Sequence, residues 1–302
     1  LTISNKTLIV IAGPTASGKT KLAIELAKHY CCPIVSADSR QVFKELNIGV
    51  ARPSESELSQ ADHYFIASHS ISQEFNAGIF EKEALTLLQT IFTKHQYAVL
   101  CGGTGLYIQA LLLGLDVLPE ADLALRHELT KNYLEHGLNY LQERLQNKAP
   151  EFYENCEKNN PQRLMRAIEI VESSEHSKKN TINNITRDFK YVGIYLNPPR
   201  EELYENINKR VEKMIVAGLE AEVKALFEFK HTNALQTVGY KEWIEYFEGK
   251  QSKEEVIEKI KQHTRNYAKR QITWFKNKTE FVEMQNSSKA YDYILNTLKE
   301  NE

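Results

Sequence analysis

The sequence predicts an α/β fold: a parallel sheet flanked by helices, interrupted by a helical insertion. Three observations carry this. Apolar, β-branched runs recur at 7–12, 33–36, 97–101 and 191–196, and most of the segments between them have helix length. The first run leads into Gly13-Pro14-Thr15-Ala16-Ser17-Gly18-Lys19-Thr20, which fits G-x-x-x-x-G-K-[ST] at every specified position. From Gly114 to about residue 191 no strand pattern occurs, and residues 121–147 read as charged helix. The expected division is a core of 1–114 and 189–302 with a helical insertion at 115–188.

The first strand, Thr7 to Ala12, has no breaker, and Lys21 to Lys28 carries Leu22, Leu26 and Ala23, Ala27 at helical spacing. Between them Gly13 and Gly18 let several N–H groups turn toward one phosphate, at the positive end of a helix. Lys19 adds a full charge, and the Thr20 hydroxyl is placed to ligate Mg²⁺. A Gly-rich turn with no ligand is the plain alternative; eight matching positions and both flanks argue for a phosphate or diphosphate. The loop does not name the molecule that carries it.

The second strand delivers Ala37-Asp38-Ser39-Arg40-Gln41 at its C-terminal end, where open α/β sheets bind ligands. Asp38 or Ser39 also suits a helix N-cap, and Asp38 suits both roles. A polar loop at 51–56, a short strand at 63–67 and a helix at 78–94 follow. The strand at 97–101 ends in Gly102-Gly103-Thr104-Gly105-Leu106-Tyr107, where three glycines mean close approach by a ligand or another chain segment. If the first and third of these strands are neighbours, Thr104 lies near the phosphate loop. Asn160 and Pro161 start a helix as N-cap and N1, with Gln162 and Arg166 on one face. Residues 173–188 read as a mobile loop. The remainder is mainly helical, roughly 200–216, 219–229, 239–248 and 253–277.

The last helix carries Lys259, Lys261, Arg265, Lys269, Arg270, Lys276 and Lys278 with no acid between the first and last. Lys261, Arg265 and Lys269 share a face, interleaved with Tyr267, Trp274 and Phe275. Solvated helix faces normally mix signs, so this one suits a polyanion. The chain as a whole has net charge −2, so any nucleic-acid contact is a local patch. A hydrophobic content of 42% over 302 residues supports a large core without disulfides. Cys31, Cys32, Cys101 and Cys156 form no C-x-x-C pair and read as reduced thiols of a cytoplasmic protein. No signal peptide fits the N-terminal residues, and no apolar run reaches membrane-span length.

Together these motifs resemble the tRNA dimethylallyltransferases (tRNA isopentenyltransferases), in their bacterial form. The resemblance rests on Gly13–Thr20, Asp38–Gln41, Gly102–Tyr107, Gln162–Glu169 and Thr264–Gln271, in that order along nearly the whole chain. Phe43, Val50, Arg52 and Phe75 depart from the family's usual residues, and Asn159-Asn160 lacks an acid often seen there. The resemblance implies a P-loop kinase-like core with an inserted helical RNA-binding domain. It implies transfer of a dimethylallyl group from its diphosphate to N6 of the adenosine 3′ to the anticodon, with Mg²⁺ as cofactor.

The site residues expected from motif and resemblance fall into three groups. Gly13, Pro14, Thr15, Ala16, Ser17, Gly18, Lys19, Thr20 and Arg210 would hold the diphosphate. Asp38, Thr104 and Lys19 would be catalytic, with Asp38 as the base for N6. The tRNA anticodon stem-loop would meet Asp38, Ser39, Arg40, Gln41, Thr104, Arg126, Gln162, Arg163 and Arg166. Gly239, Tyr240, Lys241, Arg265, Lys269 and Arg270 would extend that contact. The protein is expected to act as a monomer, away from membranes. Two other readings remain: a small-molecule kinase using ATP, and an RNA-binding nucleotide switch. The switch lacks N-K-x-D, since Thr279-Glu280 follows Asn277-Lys278.

Overall fold

The computed structural model describes residues 6–115, 122–174 and 187–300. Two compact units emerge, one from residues 1–114 with 186–302 and one from residues 115–185. The first begins with β1 (Thr7–Ala12), α1 (Lys19–His29), β2 (Ile34–Ser36), α2 (Glu55–Leu58) and β3 (His63–Tyr64). It continues through α3 (Ala77–Ile91), β4 (Tyr97–Gly102) and α4 (Gly105–Leu113). The second unit holds α5 (Leu123–His136), α6 (Leu138–Lys148), α7 (Pro150–Asn155) and α8 (Pro161–Ser174). The chain then returns with β5 (Lys190–Leu196), α9 (Arg200–Val216), α10 (Leu219–Ala225) and α11 (Trp243–Phe247). It ends with α12 (Lys253–Lys278), β6 (Val282–Met284) and α13 (Ser287–Glu300).

The sheet order is β3-β2-β4-β1-β5-β6, and every neighbouring pair is parallel. Leu8 to Ala12 are wholly buried, so both faces of β1 are covered, as parallel sheets require. Ile9 and Ile11 pack with Leu22 and Leu26 of α1 and with Ala290 and Ile294 of α13. Register places Ala12 opposite both Gly102 and Tyr195, which aligns the loops that follow β1, β4 and β5 at one end of the sheet.

Some elements differ from expectation. The helix expected at 121–147 is broken at Gly137, whose φ of 75° interrupts the helical backbone. The helix expected at 219–229 ends at Ala225 and continues as a 3₁₀ turn, and that expected at 239–248 shrinks to Trp243–Phe247. β6 and α13 were not anticipated. The helix α8 starts as expected: the Asn160 side chain accepts from the N–H groups of Gln162 and Arg163. The loop expected at 173–188 falls largely outside the described residues. The second unit has its own core, built on Leu129, Leu141, Leu145, Leu164 and Ile168.

Candidate active site

The phosphate loop leaves β1 at Gly13, where φ is 141° and an added Cβ would lie 2.6 Å from the Leu196 carbonyl oxygen. Only glycine fits there, because β5 runs directly alongside. Gly18 takes φ 88° and caps α1. Inside the loop, Ser17 Oγ and Lys19 Nζ both donate to the Pro14 carbonyl, at 2.8 and 2.5 Å. Arg210 reaches in from α9 and donates to Thr15 Oγ1 at 3.1 Å. Burial brings the pKa of Lys19 down to about 8; Arg210 adds to this, while Cys101 and Asp38 oppose it. Lys19 and Arg210 thus meet at the loop with no carboxylate salt bridge among the described residues, beside the hydroxyls of Thr15, Ser17 and Thr20 at the cavity wall.

β2 presents Asp38 from the other side. Its Oδ1 accepts from the N–H groups of Arg40 and Gln41, at 2.9 and 3.2 Å. No helix follows, so Asp38 closes a turn rather than capping a helix, and Oδ2 has no hydrogen-bond partner among the described residues. Thr104, at the end of β4, accepts from the Ser39 N–H at 3.0 Å and donates to Ser39 Oγ at 3.3 Å. Tyr267 of α12 lines the same cavity; burial, with Asp38 as a negative neighbour, pushes this phenol up to about 12. It therefore stays a donor at neutral pH.

The three glycines around Thr104 answer to chain segments. A Cβ at Gly102 would lie 2.2 Å from the Ala37 carbonyl oxygen, at Gly103 2.2 Å from Gln271 Nε2, and at Gly105 2.2 Å from the Trp274 ring. Gln271 was missed as a site residue by sequence reasoning, although it closes the last motif. Its Oε1 accepts from the Thr15 N–H at 2.9 Å and its Nε2 donates to the Gly103 carbonyl at 2.8 Å. One buried amide thus ties the phosphate loop to the Thr104 loop. The available signal was a polar residue on the apolar stripe Val256, Ile260, Ala268, Phe275 of α12.

The wall opposite is the segment 47–53, held by clasps from several directions. Glu222 accepts from the N–H groups of Asn47, Ile48 and Gly49 and from the Tyr240 hydroxyl. Gln41 Nε2 donates to the Val50 and Ala51 carbonyls, at 3.2 and 3.0 Å. Arg52 donates to the carbonyls of Phe43, Lys44 and Leu46. Tyr240 is only 1% exposed and packs on Gly49, so its side chain has no surface to offer to RNA. It shapes the wall instead. Gly239 lines the cavity, and Lys241 lies exposed.

These walls enclose a cavity of about 610 Å³, into which Lys19, Thr20, Asp38, Gln41, Arg210 and Tyr267 face. Ser39 and Arg40 line it too; Arg40 is anchored by the Asn233 carbonyl at 2.9 Å. Cys101 also lines it, but burial pushes its pKa up to about 11, so it is a neutral thiol there. Among the described residues no group of three or more His, Cys, Asp or Glu side chains forms a metal cage.

On α12, Lys261 is bound to Glu212 and Glu258, at 3.1 and 3.0 Å, which removes it from the expected polyanion face. Arg265, Lys269 and Arg270 have no such acid partner among the described residues. Arg270 lies over the Tyr267 ring at 5.7 Å. In the second unit, Glu169 is buried and receives Arg126 at 2.5 and 2.7 Å and Arg166 at 3.0 Å. A carboxylate so held fixes both guanidinium planes. Arg163 pairs with Glu157 at 2.6 Å, and Gln162 is exposed beside it.

Comparison with known proteins identifies the family. A family model described as IPP transferase matches residues 41–278. A tRNA dimethylallyltransferase from Cytophaga hutchinsonii is 46% identical over 278 residues, covering 91% of each chain. A solved tRNA isopentenylpyrophosphate transferase from Staphylococcus epidermidis is 35% identical with a TM-score of 0.71, covering 98% of this chain and all of its own. The corresponding Bacillus halodurans structure is 31% identical with a TM-score of 0.72, covering 98% of this chain and 97% of its own. With the family model spanning most of the chain and the core of these relatives shared at such identity, the chain belongs to the IPP transferase family, the tRNA dimethylallyltransferases.

Proposed function

We propose that this protein transfers a dimethylallyl group from dimethylallyl diphosphate to N6 of the adenosine 3′ to the anticodon in tRNA, releasing diphosphate. The observation that carries the reading is one cavity in which Lys19 and Arg210 face Asp38, with Thr104 holding the adjacent Ser39. A phosphate loop opposite a carboxylate suits an allyl diphosphate on one side and an amine on the other.

The diphosphate would lie on the loop amides, Lys19 and Arg210. These donors stabilise the charge that grows on the leaving oxygen as the allylic C–O bond breaks. The Thr20 hydroxyl would offer Mg²⁺ an oxygen ligand, and among the described residues no carboxylate cage competes for the ion. When bound, that ion neutralises charge on the departing diphosphate. The adenine N6 is a weak nucleophile because its lone pair is delocalised into the ring. As N6 bonds to the allylic carbon, its proton passes to Asp38, whose free oxygen faces the cavity. The base must leave the anticodon-loop stack to reach this depth. Ser39, Arg40 and Tyr267 would border it. The Arg126, Gln162, Arg163 and Arg166 face of the insertion would hold RNA.

The test is incubation with dimethylallyl diphosphate, Mg²⁺ and unmodified tRNA, followed by mass analysis of the nucleosides. An adenosine heavier by one dimethylallyl group is expected. In competition, dimethylallyl diphosphate should displace ATP from the loop; γ-phosphoryl transfer from ATP to any acceptor would overturn the reading.

The lowered pKa of Lys19 sets a pH limb. Below about pH 8 the free enzyme presents an ammonium to the diphosphate; above it the amine is neutral and the attraction is lost. kcat/KM for dimethylallyl diphosphate should therefore fall as pH rises through about 8. Bound diphosphate favours the charged form, so the limb in kcat should lie at higher pH. A kcat/KM profile flat through this range would show that Lys19 does not lose its proton there.

A further inference from the structure

Outside the donor cavity, α9 and α12 gather positive charge around one aromatic ring. Arg200 opens α9 directly after Pro198-Pro199, and Tyr204 follows one turn later on the same face. From α12, Arg265 and Lys269 sit one turn apart. Arg200, Arg265 and Lys269 lie 5.1, 5.9 and 6.0 Å from the centre of the Tyr204 ring. Asn208 aims Arg265 by accepting its Nη1 at 2.7 Å.

No acid side chain pairs with these three cations among the described residues. Their neighbours on the same helices behave differently: Lys209 pairs with Glu205, Lys259 with Glu245 and Lys261 with Glu212. Like charges drawn together without a counter-ion repel one another, and the ring offsets this only in part. The Tyr204 hydroxyl is buried without a well-formed hydrogen bond. Burial raises its pKa, but Arg200 and Lys269 outweigh that and bring it below the usual phenol value. A cavity of about 360 Å³ opens here, lined by Asn197, Arg200, Tyr204, Lys269 and Gln285 among others. Glu283 also lines it, but its carboxylate is taken by the Tyr195 hydroxyl and the Asn197 amide. Ala16, Leu203, Ile207 and Ala268 pack into an apolar cluster beneath the phosphate loop, and none of Arg200, Tyr204 and Lys269 lines the donor cavity.

We propose that Arg200, Tyr204 and Lys269 form a seat for one phosphodiester of the tRNA backbone, with Arg265 contacting the next. The inference rests on tRNA being the acceptor. The phenol O–H and the cations donate to the phosphate oxygens, and the contact carries no sequence information. It extends the RNA contact from α12 onto α9, where no sequence motif pointed to RNA.

The test measures tRNA binding to the full-length protein across a salt series. Arg200→Gln and Lys269→Gln should each lower the slope of log affinity against log salt by about one, and the double variant by about two. Tyr204→Phe should weaken binding with the slope unchanged. Lys209→Gln, which removes a paired lysine from α9, should match wild type. KM for dimethylallyl diphosphate should stay as in wild type throughout. An unchanged slope in both single variants overturns the proposal. So does a loss of inorganic pyrophosphate binding, or a raised KM for the donor, with tRNA binding intact, which would make the pocket a free-anion site. Absence of any transfer to tRNA by the wild type would instead sink the proposed function itself.

Discussion

Replacing Asp38 by Asn should slow single-turnover transfer by roughly 10²–10⁴-fold, the usual share of a general base. The substitution is well matched to the site. Asp38 Oδ1 accepts the N–H groups of Arg40 and Gln41, and an amide oxygen accepts them equally well. The turn at 39–41 and the Ser39–Thr104 contact are therefore kept. What disappears is proton affinity at the second oxygen. Binding of tRNA and of the diphosphate should change little, since Lys19 and Arg210 remain. Asp38→Ala loses the same rate and also frees two N–H groups, so it should weaken adenine binding as well. If Asp38 only closes the turn, Asp38→Asn will be nearly silent. A single-turnover rate within about threefold of wild type, or about 0.6 kcal/mol, would take Asp38 out of the chemistry.

Gln271→Met is expected to lower kcat by roughly 10²-fold, the scale associated with about 1 Å of misplacement between reacting groups. Gln271 is the strut between the Thr15 N–H and the Gly103 carbonyl, and so between the donor loop and Thr104. Met fills a similar volume but makes neither hydrogen bond. Two buried backbone groups lose their partner, each at about 1–3 kcal/mol, so the melting temperature should fall too. The discriminating measurement is the split between kinetic constants. A positioning role predicts a loss in kcat with both KM values near wild type, because each substrate keeps its own contacts. A purely structural role predicts lower stability with kcat within about twofold in the surviving folded enzyme. Gln271→Glu sharpens the comparison: it keeps an acceptor for Thr15 but sets a carboxylate against the Gly103 carbonyl.

The parts of this site that were legible in the sequence are the local ones. Gly13 to Thr20 is a continuous segment whose backbone geometry follows from its own glycines and flanks. Asp38 and Thr104 were legible as residues at strand ends, where a parallel sheet collects its ligand groups. The glycines at 102, 103 and 105 showed close approach but not its object, which proved to be Ala37, Gln271 and Trp274. Gln271 and Glu222 were illegible as wall-builders, because each acts on backbone groups far away in the chain and no spacing rule connects them. Tyr240 and Lys261 looked available for RNA for the same reason. Burial against Gly49 and pairing with Glu212 are tertiary facts. β6 and α13 were missed although Ala290, Ile294 and Leu298 keep a helical period, since the strand before them is only three residues long.

The sheet order has a consequence for synthesis on the ribosome. β1 lies between β4 and β5, yet β5 begins only at Lys190, after the whole insertion. At about 5–20 residues per second, the ribosome completes β5 roughly 5–20 seconds after β4. During that interval β1 is a half-paired strand whose open edge can meet other chains. Arg210, Glu222 and Gln271 are made later still. The phosphate loop is among the first parts translated, but it becomes a working site only when the C-terminal third of the chain has arrived.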